Sequence, residues 1–377
     1  MNRWKGVVVS IVVCGVAWAG QEFQIAGGNS NQYRPAISRT LVVWKEVSDT
    51  DWLWHVKGAD IRDPLHPQPF TVSVDPYGDS SNPAISDTNV VFEYDSKVFE
   101  ESTIMVADIS HLDKPIVWPL ATTARGRSNY PVVCKDIVAW QDYMDPDWDI
   151  VAVRVSGGSA HRLLLPMTSS ANEQFVALDG TVLLWEYSSP EKAVTTIMDC
   201  NVSDPNVVAR PLSSTEGNHW CPAISGRWAA CATDQGIEID TLTAPAISRK
   251  ITGVLKEPLT QPSICRNVVV WAQNEGDQYD VYGYNLAQAR QFRITDQPAD
   301  QVQPQISFSP ELGAYLVVWQ DQRNGNWNIY GKVLDVNDTS GCATPVPGDT
   351  NGDCKVDALD LTEVQSRIGQ VNGVPAQ

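Results

Sequence analysis

Along most of this chain the apolar residues fall in short runs that recur in a fixed order. A proline-led run comes first, a second run closes on an aromatic nine residues after the proline, and a third follows a loop of acids and aromatics. The pattern is plainest as Tyr33-Arg34-Pro35-Ala36-Ile37-Ser38, then Leu41-Val42-Val43-Trp44, then His55-Val56-Lys57-Gly58-Ala59-Asp60. It returns at Pro83 with Phe92, Pro131 with Trp140, Pro222 with Cys231 and Pro262 with Trp271. In the fourth copy Phe175 stands in the proline's place and Trp185 follows ten residues later; in the seventh, an insertion delays Trp319 to fifteen residues after Pro304. Runs this short, bounded by turn residues, read as strands.

A fourth run lies between successive cassettes, at Phe70 to Val74, Ile116 to Leu120, His161 to Leu165, Val207 to Pro211, Arg249 to Gly253 and Gln291 to Thr295. Four short antiparallel strands in a repeat of this period predict one blade of a β-propeller. No fourth run follows the seventh cassette, but Glu22 to Ala26 precedes the first. The chain is therefore expected to be all-β, a seven-bladed propeller whose last blade is closed by an N-terminal strand, which removes an exposed sheet edge. The prolines start inner strands, where no ladder N–H is needed. The tryptophans pack between blades, each burying roughly 150–250 Å².

The residues that carry this pattern, Pro-x-Ile-Ser, then Val-Val-Trp-Gln-Asp, then Asn-Trp-Asn-Ile-Tyr-Gly, are clearest between Gln303 and Leu334. Here the chain resembles the TolB-like propeller repeats of exported and cell-surface proteins. The resemblance covers about residues 22–336 and implies the fold; propellers host enzymes, binders and scaffolds alike.

Both ends depart from the repeat. Arg3 and Lys5 precede an apolar run from Gly6 to Val16, and Ala17-Trp18-Ala19 supplies a small-x-small cleavage pattern, so residues 1–19 read as a signal peptide rather than a membrane span. The expected location is secreted, periplasmic or cell-surface. Cleavage moves the formal charge from −18 to −20, because Arg3 and Lys5 leave and no acidic residue does. So acidic a chain is a poor partner for nucleic acid and for polyanions at large, and the surplus carboxylates favour a soluble monomer. Seven cysteines remain. Cys221 and Cys231 lie five residues either side of Gly226 in an expected hairpin and read as a disulfide. Cys134 and Cys265 share one cassette position in different blades and read as buried small hydrophobes.

Loops joining the second and third strands gather acids, aromatics and amides on one face. Those read as ligand-binding are Trp52, Asp147, Trp148, Tyr279, Asp321, Arg323 and Trp327. Such residues stack on sugar rings and hydrogen-bond hydroxyls; equally, Asp, Asn and Gly build hairpin turns for their own sake. Catalytic signals are weak. The five histidines have no metal-ligand spacing, and neither a Gly-x-Ser-x-Gly elbow nor a His-Glu-x-x-His helix is present, so no catalytic residue is assigned.

After the propeller, expected over residues 20–338, residues 339–347 read as a linker. Within residues 348–377, side-chain oxygens of Asp349, Asn351, Asp353, Asp357 and Asp360 fall at loop positions one, three, five, nine and twelve, with the Lys355 carbonyl at seven. That spacing suits Ca²⁺, which gathers oxygens from alternate residues of a tight turn and the helix after it. The segment resembles one repeat of a type I dockerin, which implies calcium binding and a cohesin-like or cell-surface protein partner. It departs from that pattern in having a single repeat and Cys354 where the loop usually has glycine; a Cys342–Cys354 disulfide would restrain it. Three functions follow as expectations: a glycan- or protein-binding module with a calcium-binding attachment tail, a carbohydrate-active hydrolase or lyase, or a structural scaffold.

Overall fold

The computed structural model describes residues 20–334, apart from 74, 125–126, 145, 157, 168–170, 192–193, 213–216, 243–247 and 253–260. The expected signal peptide, the expected linker, the expected calcium loop from Asp349 to Asp360, and Cys342 and Cys354 therefore lie outside the described residues.

Among the described residues, twenty-eight strands form seven four-stranded antiparallel sheets, one for each cassette. Blade 1 runs outward from Gln32–Ser38 through Leu41–Val47 and Trp54–Asp60 to Gln68–Thr71. Blades 2 to 6 repeat this order over residues 78–124, 128–162, 172–211, 219–252 and 263–293. Blade 7 contributes three strands, Gln301–Ser309, Ala314–Asp321 and Asn328–Leu334, and takes Glu22–Ala26 as its outer one. The N-terminal strand fills this place in register: Phe23 faces Gly331 as Phe70 faces Gly58 in blade 1. In both pairs the ring lies where a Cβ would be, about 2.3 Å from the position built on Gly58 and 3.0 Å from that on Gly331. Only glycine admits an aromatic so close to the sheet.

The core is divided among seven blade interfaces. In each, the cassette aromatic or its stand-in packs on the preceding blade: Trp44 on Leu316 and Val318, Phe92 on Val43 and Val56, Trp140 on Val91 and Ile104. Trp185 packs on Ile150, Trp271 on Ile239 and Trp319 on Val281. Cys231, on Leu184 and Ile197, sits in the smallest of these clusters.

The cassette's serine also has a structural use. In blade after blade the side chain three residues beyond the proline position accepts the N–H of the left-handed turn residue in the next blade. Ser38 accepts from Asp87 at 2.9 Å, Ser86 from Lys135 at 3.0 Å, Cys134 from Gly180 at 3.2 Å, Asp179 from Gly226 at 2.6 Å and Ser225 from Arg266 at 2.8 Å. Cys265 accepts from Phe308, and Ser307 from Arg39 at 2.8 Å, which closes the circle. Cys134 and Cys265 are thus half-buried links between blades rather than buried hydrophobes.

Two sequence expectations change. Val176, not Phe175, occupies the proline position of the fourth cassette, because the bulge between Gln174 and Ala177 matches that between Asn129 and Val132 in blade 3. Trp185 is then nine residues on, as in the regular copies. Cys221 and Cys231 are free thiols. The bulge between Trp220 and Ala223 takes Cys221 out of facing pairs and turns it to the central channel, while Cys231 points between blades.

Candidate functional site

The inner strands surround a channel of about 390 Å³, and the residue just before the proline position enters it once from every blade: Arg34, Asn82, Tyr130, Phe175, Cys221, Gln261 and Gln303. Six of these have φ between 46° and 53°, Gln261 aside. A side chain in the left-handed region costs about 1–2 kcal/mol relative to right-handed backbone. The strain is held by bulges in the inner strands, which push one side chain per blade towards the axis.

Behind this ring stands a row of acceptors, the residue after the cassette aromatic in blades 2, 3, 4 and 7. Gln320 accepts the Arg34 N–H at 2.6 Å, Glu93 that of Tyr130 at 2.5 Å, Gln141 that of Phe175 at 3.0 Å and Glu186 that of Cys221 at 2.6 Å. These acceptors satisfy the N–H groups that the bulges remove from the ladder. Burial raises both glutamates. Glu93 is opposed by its bonds from Tyr130, Asn82 and Ser81, while Glu186, with only the Cys221 N–H against it, is pushed up to about 7. Blade 1 places Lys45 in this column, which cannot accept.

Beside the channel, sharing Arg34 and Gln303 with it, a cleft of about 460 Å³ opens across blades 1, 6 and 7. Tyr33, Trp54, Tyr279 and Trp327 contribute aromatic rings, and Lys45, Asp300 and Gln320 contribute polar ends. Tyr33 meets Trp54 edge-on at 5.6 Å and lies 6.3 Å from Trp327. The Lys45 ammonium sits 4.8 Å from the Trp54 ring centroid, and the Arg34 guanidinium 5.2 Å from that of Tyr130, within cation–π range. Burial, then the nearby Arg34 charge, lowers the Lys45 pKa against the opposing pull of Glu93 and Asp79.

Of the rim residues read from the sequence, the structure brings Tyr279 and Trp327 into this cleft. The other five stand elsewhere. Trp52 is 78% exposed on a blade 1 hairpin, with a left-handed φ of 61°. Trp148 packs against Tyr143 in blade 3, and its N–H is bound by Asn172. Asp147 is buried in the same hairpin, where its carbonyl accepts the Met144 N–H. Asp321 and Arg323 are consumed by ring closure. Asp321 is fully buried, accepts the Trp319 indole at 2.8 Å and pairs with Arg323, which also reaches Glu22 at 2.7 Å and covers the Tyr330 ring at 4.2 Å. They fasten the N-terminal strand to the last blade and leave no free charge for a ligand.

The residues that line the site and escaped the sequence reading are Tyr33, Arg34, Lys45, Trp54, Tyr130 and Phe175. For Arg34, Tyr130 and Phe175 the signal was positional: aligned cassettes show one column, before the proline position, that holds arginine, asparagine, tyrosine, phenylalanine, cysteine and glutamine around the ring. Among the described residues no group of three or more His, Cys, Asp or Glu is arranged to hold a metal ion, and no helix is long and apolar enough to cross a membrane.

No protein-family model matches the chain, and no curated protein matches it in sequence. Solved structures do match in shape. A prolyl endopeptidase aligns with a TM-score of 0.60 at 11% identity, over 82% of this chain and 47% of that one. An oligogalacturonate lyase from Vibrio parahaemolyticus aligns at 0.57 and 11%, over 83% and 93%. The β-propeller domain of the Trilobed protease from Pyrococcus furiosus, described for its open velcro topology, aligns at 0.54 and 8%, over 84% and 98%. The chain spans about half the length of the first of these peptidases. At such identities the likeness is one of fold: a seven-bladed propeller of the kind carried by these peptidases and lyases, here closed by pairing of Glu22–Ala26 with Asn328–Leu334.

Proposed function

We propose that this protein is an exported or cell-surface propeller that binds a glycan in the cleft between blades 1, 6 and 7, and that its C-terminal segment binds Ca²⁺ to attach or assemble it. One observation carries the first part: four aromatic side chains, Tyr33, Trp54, Tyr279 and Trp327, line one cleft with amides and charges at its edges. Aromatic faces take the C–H faces of sugar rings, and amides take their hydroxyls; a cleft of a few hundred cubic ångströms holds a few sugar residues. The test is an oligosaccharide array probed with the full chain and with Trp327→Ala. Binding lost in the variant supports the reading, and binding unchanged in it removes the cleft from the account.

The tail rests on its ligand spacing alone, Asp349, Asn351, Asp353, Lys355, Asp357 and Asp360. Calorimetry with Ca²⁺ on the full chain, against Asp349→Ala, tests it; equal heats would overturn the assignment. A pull-down with and without residues 339–377 tests attachment to a cohesin-like or other surface protein.

A polysaccharide hydrolase or lyase is the second reading, favoured by Glu186, which burial holds near pKa 7, the range of a general acid, beside the funnel-lining Cys221. Assays for new reducing ends and for unsaturated products separate it from binding alone.

A further inference from the structure

The overall charge of the chain argues against polyanionic ligands, yet the cleft contains two cations that form no ion pair with the acidic residues around them. Several cations elsewhere pair with carboxylates: Arg39 with Glu311, Arg62 with Asp60, Lys97 with Asp79, Arg154 with Asp136, Arg293 with Asp280 and Arg323 with Asp321. Arg34 and Lys45, both half-buried, make no ion pair among the described residues and line the same cleft. Where 45 acidic side chains are available for 27 basic ones, two partly desolvated cations that face one another are an arrangement with a cost.

The position of Lys45 sharpens this. Blades 2, 3, 4 and 7 use the same column for Glu93, Gln141, Glu186 and Gln320, all of which brace the next blade by accepting an N–H. Blades 5 and 6 place Ala232 and Ala272 in that column, whereas blade 1 gives up the acceptor for an ammonium at the cleft. Burial, then the Arg34 charge, disfavours the ammonium against the smaller opposing pull of Glu93 and Asp79, and an anion between Arg34 and Lys45 would relieve both effects.

We propose that Arg34 and Lys45 bind the anionic substituent, carboxylate or sulfate, of a glycan residue whose ring is held by the aromatic side chains of the same cleft. This rests on the glycan reading above. The arginine fork suits two oxygens of one anion, and the lysine supplies a movable point charge to the same group. Selectivity then comes from a local pair of charges inside a molecule whose long-range field repels anions. Added salt weakens the contact but also lifts the repulsion, so affinity falls less steeply with ionic strength than for a basic surface.

Calorimetry on the full chain decides the matter, with an oligomer of uronic-acid residues, the same oligomer methyl-esterified, and a sulfated oligomer of equal length on a neutral backbone. The expected result is that at least one anionic oligomer binds ten-fold or more tightly than the ester. Lys45→Gln, which restores the acceptor used by blades 3 and 7, removes that preference without lowering the melting temperature, and Lys45→Arg retains it. Whichever anionic arm binds identifies the substituent. Equal affinity for acid and ester, or an unchanged preference in Lys45→Gln, overturns the charge pair while the glycan reading stands. Binding of none of the three, with none on the array, overturns both.

Discussion

The backbone N–H of Arg39 in the first blade donates to Ser307 Oγ in the seventh at 2.8 Å, across 268 residues of sequence. It is the last of the blade-to-blade bonds to be made along the chain, and it joins the ring at the channel end away from the cleft. At the outer edge the ring is joined a second time, by Glu22–Ala26 and the Arg323 network. Inner and outer closures are chemically separate, so they can be broken separately.

Ser307→Ala removes only the inner link. It leaves the Arg39 N–H near solvent, so the loss is that of one net hydrogen bond, about 1 kcal/mol. Urea denaturation should show the midpoint falling with no change in slope; an unmoved midpoint would show that the latch contributes nothing.

Arg323→Met breaks the outer closure and strands Asp321, whose side chain is fully buried. Removing one partner of a buried ion pair costs about 3 kcal/mol or more. Hydrogen exchange localises the damage: the amides of Glu22–Ala26 lose protection first, ahead of those of the inner strands. Uniform loss across all blades would contradict the separate roles of the two closures.

Trp140→Ala opens a cavity between blades 2 and 3 and costs about 3–5 kcal/mol. Cys231→Ala at the equivalent site between blades 4 and 5 costs less than half of that, because the side chain is small and its cluster poorer. Thermal melts of the two variants, run together, check the ratio.

The pH dependence follows from Glu186. Burial lifts its folded pKa from the ordinary 4.5 to about 7, so the folded state holds this proton more tightly than the unfolded chain does. Its contribution is complete below about pH 4.5 and is lost as pH rises to about 7, on the order of 3 kcal/mol. Asp240, raised to about 7 by burial and then by Glu238, acts in the same sense. Glu186→Gln keeps an acceptor for the Cys221 N–H, as Gln141 does in blade 3, but cannot ionise. Its stability advantage over the parent should be absent at pH 4.5, grow as pH rises from there and be complete above about pH 7; a constant difference at all pH values would rule out titration of Glu186.

The blade count, the N-terminal closure and the packing role of the tryptophans were legible because they recur: a spacing repeated seven times averages out individual exceptions. The fourth copy shows what spacing alone misses. Phe175 looks like the proline's substitute because both are conspicuous, whereas the bulge assigns that place to Val176. A bulge adds a residue without a hydrophobic signature, so it also hid the turning of Cys221 to the channel and its separation from Cys231. Asp321 and Arg323 misled for another reason. Their types suit a ligand rim, and only the arrival of Glu22 from the far end of the chain shows that they are spent on closure. Arg34 and Lys45 lacked any motif, since a charge is informative only when the partners it fails to meet are known.

The strained residue ahead of the proline position, present in six of the seven blades, has a consequence for how such a protein changes over time. Its backbone is fixed by the bulge, and its side chain meets the channel rather than the interior of a blade. Substitution there alters what lines the channel without disturbing how the ring stands, so six positions form an alphabet that selection, or an engineer, can respell one letter at a time.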